Sequence, residues 1–108
     1  MRAEDRLGRN EAVFRDVNER IEKGLWPGEP DGPVAFRCEC ASLGCNMLIE
    51  LPINAYERVR ADPRHFLVLP GHEIPAIERI VERHAEYVVV EKSGEAAEAA
   101  RATDPREP

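Results

Sequence analysis

"VAFRCECASLGCNMLIEL", residues 34 to 51, contains all three cysteines of this 108-residue chain. On both sides of "ASLG", apolar residues occupy every second position, and a period of two is typical of strands with one buried face. The sequence therefore predicts a β-hairpin that turns at "ASLG". Cys38 and Cys40 are then expected on one face of the hairpin while Glu39 points to the other, and Cys45 returns to the face of the first two cysteines.

Three thiolates on one face suit a zinc ion, which takes four ligands in structural sites, mostly cysteine and histidine. The chain has three histidines, His65, His72 and His84. His72 is favoured because it follows a Pro-Gly turn at a strand end, where the backbone can aim a side chain toward a neighbouring hairpin. Glu73 is expected to accept a hydrogen bond from the bound imidazole. The predicted Cys3His zinc site consists of Cys38, Cys40, Cys45 and His72.

The spacing C-x-C-x4-C leaves other chemistry open. His65, His84, an acidic residue or water can take the fourth position, and water there would allow catalysis. The thiols can instead be redox-active, or they can be buried in the core without a ligand. A catalytic set drawn from Asp62, His65, His72 and Glu73 is disfavoured, because no nucleophile or oxyanion motif accompanies it.

Three runs, "FRCECASLGC", "YERVRADPRHFLVLPGHE" and "RIVERHAEYVVVEK", resemble a group of short bacterial proteins of uncharacterised function. That group shows F-x-C-E-C-x4-C, then V-R-x-x-P-x-x-F-x-V-x-P-G-H-E, then V-V-E-K, and the resemblance spans about residues 10 to 105. It implies that Cys38, Cys40, Cys45 and His72 belong to one pattern. No activity is established for the group, so the resemblance implies none.

The first part of the chain, residues 3–23, has the apolar spacing of an amphipathic helix. Its apolar stripe is expected to cover the sheet, and docking of a second copy or a partner on this helix is the alternative. Two acid-to-base pairs, four residues apart, are expected on the exposed face. The stripe consists of Leu7, Val13, Phe14, Val17 and Ile21, and the pairs are Glu11 with Arg15 and Asp16 with Arg20.

A Pro/Gly loop over residues 24–33 precedes the core, which is expected over residues 34–92. After the first hairpin, the pattern predicts a short helix from about Ile53 to Ala61 and a strand over residues 65–69. Residues 93–108 are expected to form a short helix and a loose polar tail.

"IERIVERHAEYVVVEK", which begins at residue 77, fits either a helix or a second hairpin. In a helix, Glu78 would face Glu82 and Arg79 would face Arg83, and like charges at this spacing are unfavourable. The sequence therefore favours strands over Glu78–Arg83 and Tyr87–Lys92, with the turn at His84 to Glu86.

Together these patterns predict a single small α+β domain over residues 1–108. An antiparallel sheet of two β-hairpins and a connecting strand is expected to pack against the N-terminal helix and a short middle helix. A bound zinc ion is expected to cross-link this fold.

Composition narrows the function classes. The net charge of -6 without a basic block disfavours a nucleic-acid partner. No apolar run approaches the roughly 20 residues of a membrane span, the chain starts without an apolar signal region, and the odd cysteine count favours the cytoplasm. The predicted function is a cytoplasmic zinc-stabilised interaction or adaptor module with an unidentified protein partner and no catalysis. The alternatives are a thiol-based redox or metal sensor and a small zinc hydrolase, and the N-terminal helix can support a homo-oligomer.

Overall fold

The computed structural model describes residues 3–25, 33–40 and 45–106, with side chains described from residue 12 to 23 in the first helix and from residue 34 onward. Most of the Pro/Gly loop and the "ASLG" turn lie outside these residues. The elements in chain order are α1 Ala3–Leu25, β1 Pro33–Arg37, β2 Leu48–Pro52, α2 Ile53–Arg60, β3 His65–Val68, β4 Glu78–Arg83, β5 Val88–Lys92 and α3 Gly94–Ala102.

β1 and β2 form the predicted antiparallel hairpin and pair along their whole lengths. β1 ends at Arg37, and one further hydrogen bond, from the N–H of Cys38 to the C=O of Met47 at 3.0 Å, extends the pairing. The cysteines therefore follow the strands instead of lying within them.

β3, β5 and β4 form a second antiparallel sheet, in that order. The predicted second hairpin is confirmed, since β4 has the expected bounds and β5 begins at Val88, one residue later than expected. Extended backbone places the like charges of β4 about 13 Å apart, which removes the repulsion that a helix would impose. Val88, Val89 and Val90 are all buried because β5 is the central strand and both its faces are covered.

The α+β class is confirmed, and the strands are divided between two small sheets where the sequence predicts one. Glu39 joins the sheets, because its N–H donates to the C=O of Leu67 at 2.7 Å and its carboxylate accepts the N–H of Leu67 at 2.9 Å. Behind this joint, the rings of Phe36 and Tyr56 stack at 4.3 Å between centroids. One hydrophobic core thus runs through both sheets and α2.

α1 packs through a face that is more polar than the sequence predicts. Phe14 is buried as expected, but Val13 is 58% exposed. Arg15, which was expected on the exposed face, is fully buried, and its guanidinium donates to the C=O of Pro63 at 2.7 Å and of Ala100 at 2.8 Å. These carbonyls replace the water that the buried guanidinium loses.

The two predicted surface pairs of α1 have different outcomes. Asp16 and Arg20 form the expected exposed ion pair at 3.4 Å. The partner expected for Arg15, Glu11, lies outside the described side chains, as does Leu7 of the apolar stripe.

Asn18 of α1 bonds the backbone of Arg37, the last residue of β1. Its Nδ2 donates to the C=O of Arg37 at 2.8 Å, and its Oδ1 accepts the N–H of Arg37 at 2.7 Å. Asn18 is fully buried in this position.

The C-terminal helix is confirmed as α3, but residues 103–106 are not the loose tail that the composition predicts. Asp104 forms an ion pair with Arg60, and the side chains of both are at least 95% buried. Arg60 also donates to Glu19 at 2.5 Å. A guanidinium buried at the end of α2 needs such acidic partners, and the chain after α3 supplies one of them.

Candidate metal centre

Cys38 and Cys40 lie just beyond β1, where the chain leaves the hairpin and approaches β3. Their thiols are buried, with exposures of 0% and 3%. Glu39 between them is also fully buried, which contradicts the prediction that it points away from the core. The alternation fails here because the strand has already ended, so the three residues need not follow the faces of a sheet.

Cys45 lies at the other end of the segment between β1 and β2, and Arg37 holds it in position. The guanidinium of Arg37 donates to the C=O of Cys45 at 2.8 Å and lies over the ring of Phe14 at 4.1 Å. Cys45 is 8% exposed, which makes it the most exposed of the three cysteines.

His72 is presented by the predicted Pro-Gly turn between β3 and β4. The N–H of His72 donates to the C=O of Leu69 at 3.0 Å, and Gly71 has a φ of 89°, a conformation that favours glycine. An oxygen of Glu73 accepts the N–H of Gly71 at 2.8 Å. Glu73 therefore stabilises the turn, in place of the contact with the imidazole that the sequence predicts.

The segment between β1 and β2 meets the turn that carries His72, and the four predicted ligands lie together. Their ligand atoms are all within 4.8 Å of one another. The Nδ1 atom of His72 lies 3.7 Å from the sulfur of Cys38 and 3.7 Å from that of Cys45. In a tetrahedral zinc site, metal–ligand distances of about 2.3 Å to sulfur and about 2.0 Å to nitrogen place these atoms about 3.6 Å apart. The group can hold a metal ion of this size.

A backbone donor that the sequence does not reveal also faces the sulfurs. The N–H of Leu69 donates to the sulfur of Cys38 at 3.3 Å. Burial raises the pKa of the Cys38 thiol to about 12 despite this hydrogen bond, so the isolated thiol stays protonated at neutral pH. A bound cation would favour the thiolate, and metal binding would therefore release a proton.

Glu39 is the second feature of the site that sequence reasoning missed. Its carboxylate accepts hydrogen bonds from Asn18 at 2.8 Å and from Tyr56 at 2.7 Å, besides the one from Leu67. Burial nevertheless raises the pKa of Glu39 above its usual value, with these hydrogen bonds opposing the shift. The glutamate of the C-E-C run thus anchors the segment that carries two of the thiols, a role that no periodicity indicates.

The other two histidines lie apart from the cysteines. His65 is flanked by Asp62 at 3.7 Å and Glu91 at 3.5 Å, and these three residues also can hold an ion by distance. Arg64, however, bridges the two carboxylates at 2.8 Å each, and Arg79 pairs with Glu91 at 2.8 Å, so two guanidinium groups already balance the two negative charges. His84 is exposed in the turn after β4.

The disfavoured acid–base set is not assembled as one site. Asp62 and His65 lie beside β5, whereas His72 faces the thiols and Glu73 contacts the adjacent turn. The described residues therefore offer one thiol-rich centre, formed by the ligands that the sequence predicts.

Comparison with known protein families, with curated proteins and with solved structures finds no match. Among the described helices, none is long and apolar enough to cross a membrane. The fold and the site define an α+β protein with a buried Cys3His cluster that can hold a metal ion.

Proposed function

We propose that this chain is a zinc-stabilised protein-interaction module with no catalytic activity of its own. The observation that carries the proposal is the convergence of four protein ligand atoms, three sulfurs and the Nδ1 of His72, within 4.8 Å. Four such ligands complete the tetrahedral sphere of zinc and leave no position for water or substrate. A site without an open coordination position stabilises the fold and does not catalyse a reaction.

The place of the site explains what zinc would contribute. Cys38, Cys40 and Cys45 belong to the segment that connects β1 to β2, and His72 belongs to the turn after β3. One ion would therefore cross-link the two small sheets. A chain of 108 residues buries a limited apolar surface, so a cross-link between sheets adds substantially to its stability.

An interaction role is supported by the surface beside the site. Met47 and Leu48, which follow Cys45, are 53% and 60% exposed. Large apolar side chains that a fold leaves in water are common where a protein binds another protein. None of the three cysteines forms a disulfide, as expected in a reducing compartment such as the cytoplasm.

Metal analysis of purified protein tests the zinc proposal. We expect one equivalent of zinc in the parent chain and in the control variant His84→Ala, whose altered side chain is exposed. His72→Ala should bind zinc more weakly and melt at a lower temperature, because one of four ligands is lost. A parent chain that is fully folded without metal would contradict the proposal.

Two further measurements separate this function from the alternatives of a sensor and a hydrolase. A structural site should keep its zinc under mild peroxide, since all three thiols are at least 92% buried, whereas a thiol sensor should release zinc at low oxidant. X-ray absorption should show sulfur and nitrogen ligands only. A water ligand in the place of His72 would favour a hydrolase.

A further inference from the structure

Arg37, the last residue of β1, places a positive charge between α1 and the cysteine cluster. Its guanidinium donates to the C=O of Cys45 at 2.8 Å and lies over the ring of Phe14 at 4.1 Å. Phe14 is 3% exposed, so its ring shields one face of the guanidinium from water. The Nε of Arg37 is buried and has no hydrogen-bond partner among the described residues. Buried N–H groups are normally paired, so this arginine is only partly satisfied by the protein around it.

No acidic side chain of the described residues forms an ion pair with Arg37. The buried Arg60, in contrast, contacts two carboxylates, one of them that of Asp104. Arg15 also forms no ion pair, but Asp104 and Glu39 lie close enough to raise its pKa against the effect of burial. The charge of Arg37 is therefore not balanced by a carboxylate in the described part of the chain.

The metal centre would supply the missing negative charge. Zinc binds cysteine as the thiolate and histidine as the neutral imidazole. Three thiolates and one imidazole around a divalent ion therefore carry one net negative charge. A buried charge without a counter-charge is costly, and one guanidinium beside the four ligands makes the loaded centre electrically neutral.

The guanidinium is close enough to act on the whole centre. The carbonyl oxygen and the sulfur of one cysteine are joined by four bonds, so they lie at most about 5 Å apart. A nitrogen of Arg37 that is 2.8 Å from the carbonyl oxygen of Cys45 is therefore within about 8 Å of the sulfur of Cys45. The other ligand atoms lie within 4.8 Å of that sulfur. Opposite charges at such separations attract more strongly near protein than in water.

We propose that Arg37 is the counter-charge of the metal-loaded centre and that it raises the affinity of the four ligands for a divalent ion. The attraction arises on metal binding, because binding converts the thiols to thiolates. Arg37 therefore favours the loaded chain over the metal-free chain. The inference rests on the proposal that Cys38, Cys40, Cys45 and His72 hold zinc, and it assigns an electrostatic role to a residue that binds no metal itself.

Competition with a chromophoric chelator measures the zinc affinity of the parent and of three variants. Arg37→Gln removes the charge and keeps an N–H donor, and we expect zinc to bind it about tenfold more weakly or worse, as is common when a group beside the ligands is lost. Arg37→Lys should recover most of the affinity because it keeps the charge. Arg83→Gln, an exposed site on β4, should bind zinc as the parent does.

Two further measurements separate the charge from a structural role of Arg37. In His72→Cys, a fourth thiolate adds a negative charge, so adding Arg37→Gln should weaken zinc binding by a larger factor than it does in the parent. An equal factor would contradict the proposal. In the presence of a chelator, the urea midpoints of the parent and Arg37→Gln should agree. A metal-free Arg37→Gln chain that is unfolded while the metal-free parent is folded would make Arg37 a structural residue and overturn the proposal.

The affinities also distinguish failure of this inference from failure of the zinc site. A parent that binds zinc no more tightly than Arg37→Gln would refute the role of Arg37 and leave the site intact. Equal losses in Arg37→Gln and Arg37→Lys would likewise refute a role based on charge. A parent chain that binds no zinc would refute the site itself, and the role of Arg37 with it.

Discussion

The Nδ1 atom of His72 lies 3.7 Å from the sulfur of Cys38, although the two residues are 34 positions apart in the chain. β2, α2 and β3 lie between them in sequence. The centre therefore forms only when both sheets have reached their final arrangement, and a metal ion bound there would stabilise the completed fold instead of one hairpin. Four measurable consequences follow from this relationship and from polar contacts elsewhere in the structure.

Removing the metal should lower the stability of the whole chain. A ligand that binds only the folded state adds about 4 kcal/mol when its free concentration is about a thousand times its Kd. We expect a chelator to reduce the free energy of unfolding by an amount of that order, measured by urea denaturation. Cys45→Ser serves as the control, because a chain that has lost a ligand should respond little to the chelator. An equal response in the two proteins would count against the assigned ligands.

Replacing Glu39 by glutamine should destabilise the fold. The carboxylate accepts hydrogen bonds from Asn18, Tyr56 and the N–H of Leu67, and an amide NH2 cannot accept in the same place. A buried donor left without an acceptor costs about 1–3 kcal/mol. Glu50→Gln is the matched control on the exposed side of β2 and should change the unfolding free energy by less than about 0.5 kcal/mol. Similar losses in both variants would disprove the anchoring role of Glu39.

Glu78 and Lys92 form an ion pair whose side chains are each 1% exposed. Burial lowers the pKa of Lys92 to about 7 and raises that of Glu78 to about 7, because loss of water disfavours the charged form of each group. Lys92→Met should therefore cost about 3–5 kcal/mol, because the carboxylate loses its ammonium. The double variant with Glu78→Gln should lose less than the sum of the single losses. Additive losses in a double-mutant cycle would show that the pair is not coupled.

The ion pair of Glu57 with Arg106 should make the free energy of unfolding depend on pH in the acid range. The hydrogen bonds from Arg106 lower the pKa of Glu57 to about 2, from a usual value of 4.5. Since the folded-state pKa is the lower one, the stabilisation is fully present above about pH 4.5 and is lost as the pH falls through about 2. The difference in unfolding free energy between the parent and Arg106→Gln should shrink between about pH 5 and pH 2. Arg101→Gln, an exposed site on α3, should give a difference that does not change with pH.

The elements and the clustering of the three cysteines could be predicted because they depend on local rules. Like charges four residues apart argued against a helix over Glu78–Arg83, and that segment is β4. The three cysteines are close in sequence, and a Pro-Gly turn at the end of a strand can point His72 in only a few directions. Short-range geometry thus brings the three cysteines together, and the arrangement of the two sheets then brings His72 to them.

The remaining contacts depend on which faces other elements cover, and the sequence alone does not show this. Glu39 and Arg15 look like exposed charges, but α1, α2 and β3 supply the hydrogen bonds of Glu39, and Pro63 and α3 supply those of Arg15. The polar residues after α3 look unstructured until the buried Arg60 is known to need the carboxylate of Asp104. Polar side chains that pack inside a small protein are the part of its structure that periodicity predicts least well.

The amide of Asn18 has a consequence for how this chain behaves beside its own copies. By bonding both backbone groups of Arg37, it imitates the hydrogen bonds of one further strand residue on the outer side of β1. Unpaired strand edges invite other chains to add to a sheet, which leads to aggregation. One side chain of α1 thus occupies the backbone groups through which another strand would pair with this end of β1.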